Sequence, residues 1–304
     1  MISLENDFLD SDNSRKFCQW AILDDGRFLP AYLTTKKVPS GIYEIKWDNQ
    51  SQNIVLKKQE TKTDELYNLP SPEINSILDD IRLFFERAEK YSKYNFVHKR
   101  GILLYGDPGC GKSGIIQLCS NIIIKKMGGV VINIKGEEDF DYFVDFIGTI
   151  RSIEKDRPII IIMEDLDSLI EGNKTSASKL LNILDGVKQV DQIVYIATTN
   201  YPEKLEQRIS NRPSRFDRRY KIEMPSDDIR RSFILNKLDK NDLENIDVDL
   251  WVERTEGMSL SHLKEVLISV VVMGKEFEET MRSISDMNNS PSIKMSKSVG
   301  FSSR

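Results

Sequence analysis

Gly101-Ile-Leu-Leu-Tyr-Gly106-Asp-Pro-Gly109-Cys-Gly111-Lys112-Ser113 is the stretch on which the reading of the whole chain turns. Ile102 to Tyr105 form a short apolar run of the kind that makes a buried strand, and the run stops at Gly106. From Gly106 the spacing is G-x-x-x-x-G-K-S, and the residues after it, Gly114 to Ile124, suit a buried helix. A strand, a Gly-rich loop and a helix form the context in which this pattern wraps a phosphate chain. Gly106, Gly109 and Gly111 allow positive φ, so that consecutive backbone N–H groups turn inward around an anion. The helix that follows adds its partially positive N-terminus at the same point. The expected phosphate-binding set is therefore Gly106, Asp107, Pro108, Gly109, Cys110, Gly111, Lys112 and Ser113. Lys112 is placed to reach the β- and γ-phosphates and the Ser113 hydroxyl to ligate Mg2+. This pattern predicts a nucleoside triphosphate site. Cys110, set among the loop amides, is expected to react with thiol reagents and to be protected by bound nucleotide.

Length and composition set the frame around that loop. The 304 residues leave room for one large domain and one or two small ones. With 39% hydrophobic and 30% charged residues the balance is that of an ordinary globular protein. No apolar run approaches the roughly 18 residues of a membrane span. Met1 to Asp7 is acidic and lacks the basic and apolar regions of a signal peptide, and an odd set of three cysteines fits a reducing cytoplasm. Cys18, Cys110 and Cys119 lack C-x-x-C spacing, and His98 and His262 are the only histidines, so neither a disulfide framework nor a zinc site is indicated. A net charge of −5 is a poor footprint for a dedicated nucleic-acid binder.

Upstream of the loop, residues 1–15 are polar and acidic, as in a loose terminus. Aromatic and β-branched runs follow at 17–23, 28–33, 41–47 and 53–56, with Asp24-Asp25-Gly26 and Asp48-Asn49-Gln50 as turns between them. They suggest a small β-rich N-terminal domain over 1–68. Ser71-Pro72-Glu73 is a helix start, and Ile74, Ile77, Leu78, Ile81, Phe84, Phe85 and Ala88 follow at helical spacing. This stripe reads as core rather than as a nucleotide-base contact.

Downstream, strands alternate with helices. A strand at Val130–Lys135, a helix from Glu137 to Glu154, a fully apolar strand ending at Glu164-Asp165, a helix over Ser176–Val187 and a strand at Gln192–Asn200 follow in turn. That alternation makes residues 69–224 an α/β domain with a doubly wound parallel sheet, which takes its ligand at the C-terminal edge of the strands. Glu164 and Asp165 close a buried strand there, with Asp167 just beyond. Carboxylates at the mouth of a phosphate-loop domain hold Mg2+ and orient the attacking water. The Asn200 amide, also at a strand end, can bond both a γ-phosphate oxygen and that water. Arg208, Arg212, Arg215, Arg218 and Arg219 crowd the next segment; composition alone reads them as an exposed basic face. Beyond them, Ser226-Asp-Asp-Ile and the apolar stripe from Leu260 to Val271 describe a small helical lid over 225–287. His262 and Lys264 are expected to face solvent there. The Ser- and Lys-rich residues 288–304 read as a disordered tail.

In this order, Gly106–Ser113, the strand with Glu164 and Asp165, Leu180-Leu-Asn-Ile-Leu-Asp-Gly186, Ala197-Thr-Thr-Asn200, Arg212-Pro-Ser-Arg-Phe-Asp-Arg218 and Thr255-Glu-Gly-Met-Ser259 resemble the AAA+ ATPases, in particular the AAA branch. The resemblance covers about residues 95–275. It implies a 5-1-4-3-2 parallel sheet, a helical lid, ATP with Mg2+ as cofactors, and a homo-oligomeric ring, usually a hexamer, working on a protein client. It also implies that Arg212 and Arg215 act as arginine fingers supplied to the neighbouring subunit's site. Within the family the chain is similar to members encoded by large bacteriophages and to the mitochondrial member that translocates the Rieske subunit. Three departures stand out. The usual Asp-Glu pair is Glu164-Asp165 here, an order shared with the mitochondrial member, so Glu164 takes the Mg2+-associated role and Asp165 the water-polarising one. Ser214 replaces a glycine. Phe140, Tyr142 and Phe143 lie near the usual threading loop without matching its motif. Two other readings stay open, an ATP-gated scaffold with little hydrolysis and a DNA-associated motor or loader.

Overall fold

The structure is a computed structural model that describes residues 19–22, 28–31, 35–49, 52–59, 71–170, 191–205 and 215–289, with Ser178, Asn182 and Leu184 as isolated positions. The expected N- and C-terminal ends, most of the helix over Ser176–Val187, and Arg208, Arg212 and Ser214 lie outside the described residues.

A short antiparallel hairpin, β1 (Gln19–Ile22) and β2 (Phe28–Ala31), stands as its own two-stranded sheet. The strands that follow are β3 (Gly41–Asp48), β4 (Asn53–Lys58), β5 (Lys99–Tyr105), β6 (Val130–Ile134), β7 (Ile159–Met163), β8 (Ile193–Thr199) and β9 (Arg218–Lys221). They form one seven-stranded sheet in the order β4-β3-β6-β7-β8-β5-β9. Every neighbouring pair is parallel except β3 with β4. Counted from the phosphate-loop strand β5 onward, the alternating unit has the order 5-1-4-3-2.

Residues 41–58 depart from the expectation of a separate β-rich unit. β3 lies parallel to β6, from Gly41 opposite Val130 to Glu44 opposite Asn133, and so extends the main sheet. The cause is burial: Tyr43 and Ile45 sit in the same apolar cluster as Ile132, Ile161 and Phe140. Period-two alternation shows which face of a strand is buried, but not which sheet it joins. Glu154 and Arg157 secure the entry to β3. Glu154 Oε1 accepts from Val38 N at 2.8 Å and Arg157 Nη2 donates to Val38 O at 2.8 Å.

Helices cover both faces. On one side α1 (Pro72–Glu86) and α3 (Lys112–Met127) enclose a cluster that includes Ile77, Ile81, Phe84, Ile102, Ile116 and Val131. The short α2 (Ala88–Lys93) lies between α1 and β5. Pro72 at the first helical position and the Ser71 cap, whose hydroxyl accepts from Ile74 N, start α1 as read from sequence. Gly128, left-handed at φ 63°, stops α3. On the other face α4 (Glu137–Ile153) buries Phe140 and Phe143 at 1% and 2% exposure. These two rings are core, so they present nothing to a threaded chain. Tyr142 stacks on Trp47 instead.

After β9 come α6 (Asp227–Lys237), α7 (Lys240–Glu244), α8 (Val248–Arg254), α9 (Leu260–Leu267) and α10 (Phe277–Asn289), where α5 is the short helix Leu166–Ile170 after β7. The chain from Ile268 to Val272 continues α9 as a π-helical turn. Of these, α6, α8, α9 and α10 pack around Ile234, Trp251, Leu263, Val266 and Ile284. Helix α10 runs two residues into the stretch expected as tail. Among the described residues no helix is long and apolar enough to cross a membrane.

Candidate active site

The sheet order brings three strand ends together, since β8 lies between β7 and β5. A cleft of about 810 Å3 opens there, within the usual range for a small-molecule site. The phosphate loop, Glu164, Asp165 and Asn200 line one part of it; Ile74, Ile222, Ile229, Phe233 and Leu260 line an apolar part.

The loop follows the sequence reading. Gly106, Gly109 and Gly111 have φ of 149°, 79° and 104°. Close packing reinforces the need for glycine: a Cβ on Gly106 would come 2.1 Å from Ile222 O, and one on Gly111 would come 2.9 Å from Leu260 Cδ1. The second contact shows α9 resting on the loop. The Lys112 ammonium donates to Gly106 O at 2.7 Å and to Asp107 O at 2.8 Å. Burial holds its pKa below the usual lysine range, against the pull of Asp165, Asp107 and Asp167. A buried cation whose partners are neutral carbonyls is well matched to an anionic ligand. Glycines that a Cβ would obstruct, this buried cation and a hydroxyl beside a carboxylate suit a triphosphate with Mg2+.

The strand ends supply the acids. The Ser113 hydroxyl donates to Glu164 Oε2 at 2.7 Å, which brings together the two residues expected at the metal. Asp165 is next, with a left-handed backbone at φ 48°. Its N–H donates to Thr198 Oγ1 at 3.1 Å, and Asn200 Nδ2 approaches Asp165 Oδ1 at 3.4 Å. Asp167 turns away from the cleft: it is 4% exposed and accepts from the Thr199 hydroxyl at 2.6 Å. It is a buried tie between strand ends rather than a cleft ligand.

Other expectations change. Cys110 is 5% exposed, with Sγ 3.6 Å from Met224 Sδ, and burial pushes its thiol pKa up. Both effects oppose the expected reactivity, because the thiolate is the nucleophile. Arg215 is 5% exposed, with its carbonyl packed so closely on Gly101 that a Cβ there would lie 2.0 Å away. A guanidinium buried in its own subunit is not presented to a neighbour, so the expected finger role does not fit Arg215 in this conformation. Lys264, expected to face solvent, lines the cleft together with Lys237. His262 faces neither way cleanly; its Nδ1 lies 3.1 Å from the Ser259 hydroxyl at the start of α9.

The apolar part of the cleft was not read from sequence, and neither were Thr198 and Thr199. Caps at Ser71 and Ser226 announced the starts of α1 and α6, whereas the Ser259 cap of α9, whose hydroxyl accepts from His262 N, was not read as one. Nothing in the spacing indicated that these starts converge.

Comparison with known proteins agrees with this geometry. Residues 102–224 match the family described as "ATPase family associated with various cellular activities (AAA)". An "AAA ATPase forming ring-shaped complexes" of Corynebacterium kroppenstedtii is 28% identical over 199 residues, 58% of this chain and 34% of the relative. Its counterpart in Corynebacterium diphtheriae is 28% identical over 219 residues, 62% of this chain and 43% of the relative. The "Proteasome-associated ATPase" of Mycobacterium bovis is 30% identical over 184 residues, 51% of this chain and 30% of the relative. The chain thus matches less than half the length of each of these curated relatives.

Proposed function

We propose that the chain is an ATPase subunit of a homo-oligomeric ring, a hexamer, that binds ATP with Mg2+ in this cleft and uses its hydrolysis to remodel a protein client in the cytoplasm. The observation that carries the reading is the Ser113–Glu164 bond at 2.7 Å, with Asp165 and Asn200 beside it at the mouth of a glycine-built loop. On this reading the Lys112 ammonium exchanges the Gly106 and Asp107 carbonyls for phosphate oxygens, gaining a charged partner for a buried cation. Ser113 and Glu164 would hold Mg2+, which when bound offsets charge on the β- and γ-phosphates. The Asp165 carboxylate orients the attacking water and takes its proton, and the Asn200 amide keeps that carboxylate and the water in line. Asp is one methylene shorter than Glu, so the water sits closer to the backbone than a Glu would place it. The apolar part of the cleft, between α1, α6 and α9, suits the base. Arg212 is the arginine offered to the neighbouring site, where its fork would meet charge developing on the γ-phosphate.

Support for a ring comes from the relatives named as forming ring-shaped complexes, and support for a protein client from the relative named as proteasome-associated. The test is phosphate release by the full chain and by Asp165→Asn, with particle mass measured in ATP. Hydrolysis fails as a reading if the two release phosphate at the same rate. Assembly fails if the chain stays monomeric at micromolar concentration with ATP and Mg2+.

A further inference from the structure

We infer that Thr198 is the positioning residue for the Asp165 carboxylate: its hydroxyl, by accepting the Asp165 N–H, holds that residue in the left-handed backbone on which water activation depends. The inference rests on the proposed hydrolysis and goes further, by naming what aims the acid.

Among the described residues four non-glycines have positive φ: Gln52, Asn95, Asp165 and Gln192. Three of them sit where a turn needs such a residue: Gln52 just before β4, Asn95 after α2, and Gln192 just before β8. Asp165 alone of the four lines the cleft. A left-handed L-residue persists only where its surroundings over-determine it, and here they do so from several directions. The Asp165 carbonyl accepts from Ser168 N at 2.9 Å and from Leu169 N at 3.2 Å, starting α5. Its N–H points the other way, to Thr198 Oγ1 at 3.1 Å. Thr198 is 3% exposed and lies in mid-sheet, paired with Leu104 of β5, so its hydroxyl is a fixed acceptor.

Alternation along β8 doubles the hold. Successive strand residues face opposite ways, and the Thr199 hydroxyl duly takes the other partner, Asp167 Oδ1 at 2.6 Å. Its oxygen also accepts from Tyr201 N at 3.0 Å, which sets the chain just past Asn200. The two hydroxyls therefore grip the β7–α5 turn at Asp165 and at Asp167, while the next residue along, Asn200, meets the Asp165 carboxylate. An Asp has only one methylene between backbone and carboxylate, so small backbone drifts move its oxygens almost fully. A left-handed backbone also suits Asp better than longer or branched residues. Glu164-Asp165 thus puts the short acid at the position whose backbone is held.

The experiment compares Thr198→Val, which keeps the shape and removes the acceptor, with Thr198→Ser, which keeps the acceptor. Steady-state phosphate release and equilibrium binding of a fluorescent ATP analogue are measured on the full chain, beside wild type and Asp165→Asn. The expected result is a kcat at least 10-fold lower in Thr198→Val, nucleotide Kd within about 3-fold of wild type, and kcat restored to within about 3-fold by Thr198→Ser. Wild-type kcat in Thr198→Val overturns the inference. So does a Thr198→Ser variant as slow as Thr198→Val, or a loss of nucleotide binding that matches the loss of turnover. Hydrogen exchange over Met163–Leu166 gives a readout that needs no catalysis. If wild type and Asp165→Asn release phosphate equally, the functional reading fails and exchange decides the tether. Asp165 amide protection lost in Thr198→Val and kept in Thr198→Ser supports it; unchanged protection overturns it.

Discussion

On one side of the cleft the phosphate loop presents backbone, and on the other the ends of β7 and β8 present side chains. The loop's shape comes from three glycines at positive φ, with Lys112 folded onto loop carbonyls. The opposing rim depends on hydroxyls: Ser113 to Glu164, Thr198 to the Asp165 N–H, Thr199 to Asp167. A rim made of backbone recognises an anion's shape and charge, which binding and the transition state share. A rim made of aimed carboxylates acts on a reacting water, which matters only in turnover. The two rims should therefore separate under mutation, one in affinity and the other in rate.

The largest expected effect is at Lys112. Lys112→Ala removes the buried cation and should weaken ATP binding by at least about 100-fold, as loss of a buried charge partner does. Calorimetric titration checks this, and near-normal affinity would break the assignment of the loop as the affinity rim. Asp165→Asn, on the opposite rim, should lower kcat by about 100-fold or more and leave affinity within a few-fold, since general-base contributions are about 10²–10⁴. An equal loss in both quantities would merge the two rims.

Gly106→Ala probes the loop as a packed object. The new Cβ would meet Ile222 O at 2.1 Å, so β5 and the chain after β9 must part. The expected cost is about 1–3 kcal/mol, read as a fall of several degrees in Tm together with weaker ATP binding. A comparable change at Thr198 should cost turnover before binding.

His98 is a control away from both rims. Its Nε2 lies 2.8 Å from Phe84 O, and the ring stacks between Phe84 and Tyr91. Burial holds its pKa below the ordinary 6.5. The unfolded chain therefore takes up a proton first as pH falls, so the stability this site contributes is complete above about pH 6.5 and is lost below it. Tm should decline from pH 7 to pH 5.5 more steeply in wild type than in His98→Gln. The smallest effect is at Cys110, where alkylation by iodoacetamide at pH 7 should be several-fold slower than for a free thiol. Reaction at the free-thiol rate would mean that the loop opens away from Met224.

Much of the site was legible because its chemistry needs particular residues close together in sequence. Gly106, Gly111, Lys112 and Ser113 lie within eight positions, and a buried strand ending in Glu164-Asp165 marks itself by its apolar run. The helix starts at Ser71 and Ser226 were equally plain, since a cap is a local hydrogen bond. The limits of local reading show at Arg215, which an arginine-rich segment presented as exposed and the fold buries, and at Cys110, whose neighbour Met224 is far along the chain. The runs at 41–47 and 53–56 were read as strands of a separate N-terminal unit for the same reason: alternation is local, whereas pairing with β6 is not.

The sequence by itself determined the glycine spacing of a loop shaped for a phosphate chain, that strands alternate with helices around that point, and which acids and which amide stand at the strand ends. These follow from backbone freedom, capping and periodicity, all of which act over a few residues. Only the tertiary structure decided that β3 and β4 extend the sheet, that α1, α6 and α9 converge on an apolar wall, and that Thr198 meets the amide of Asp165. Each of these arrangements rests on contacts between residues more than twenty positions apart, and packing, rather than any local propensity, selects them.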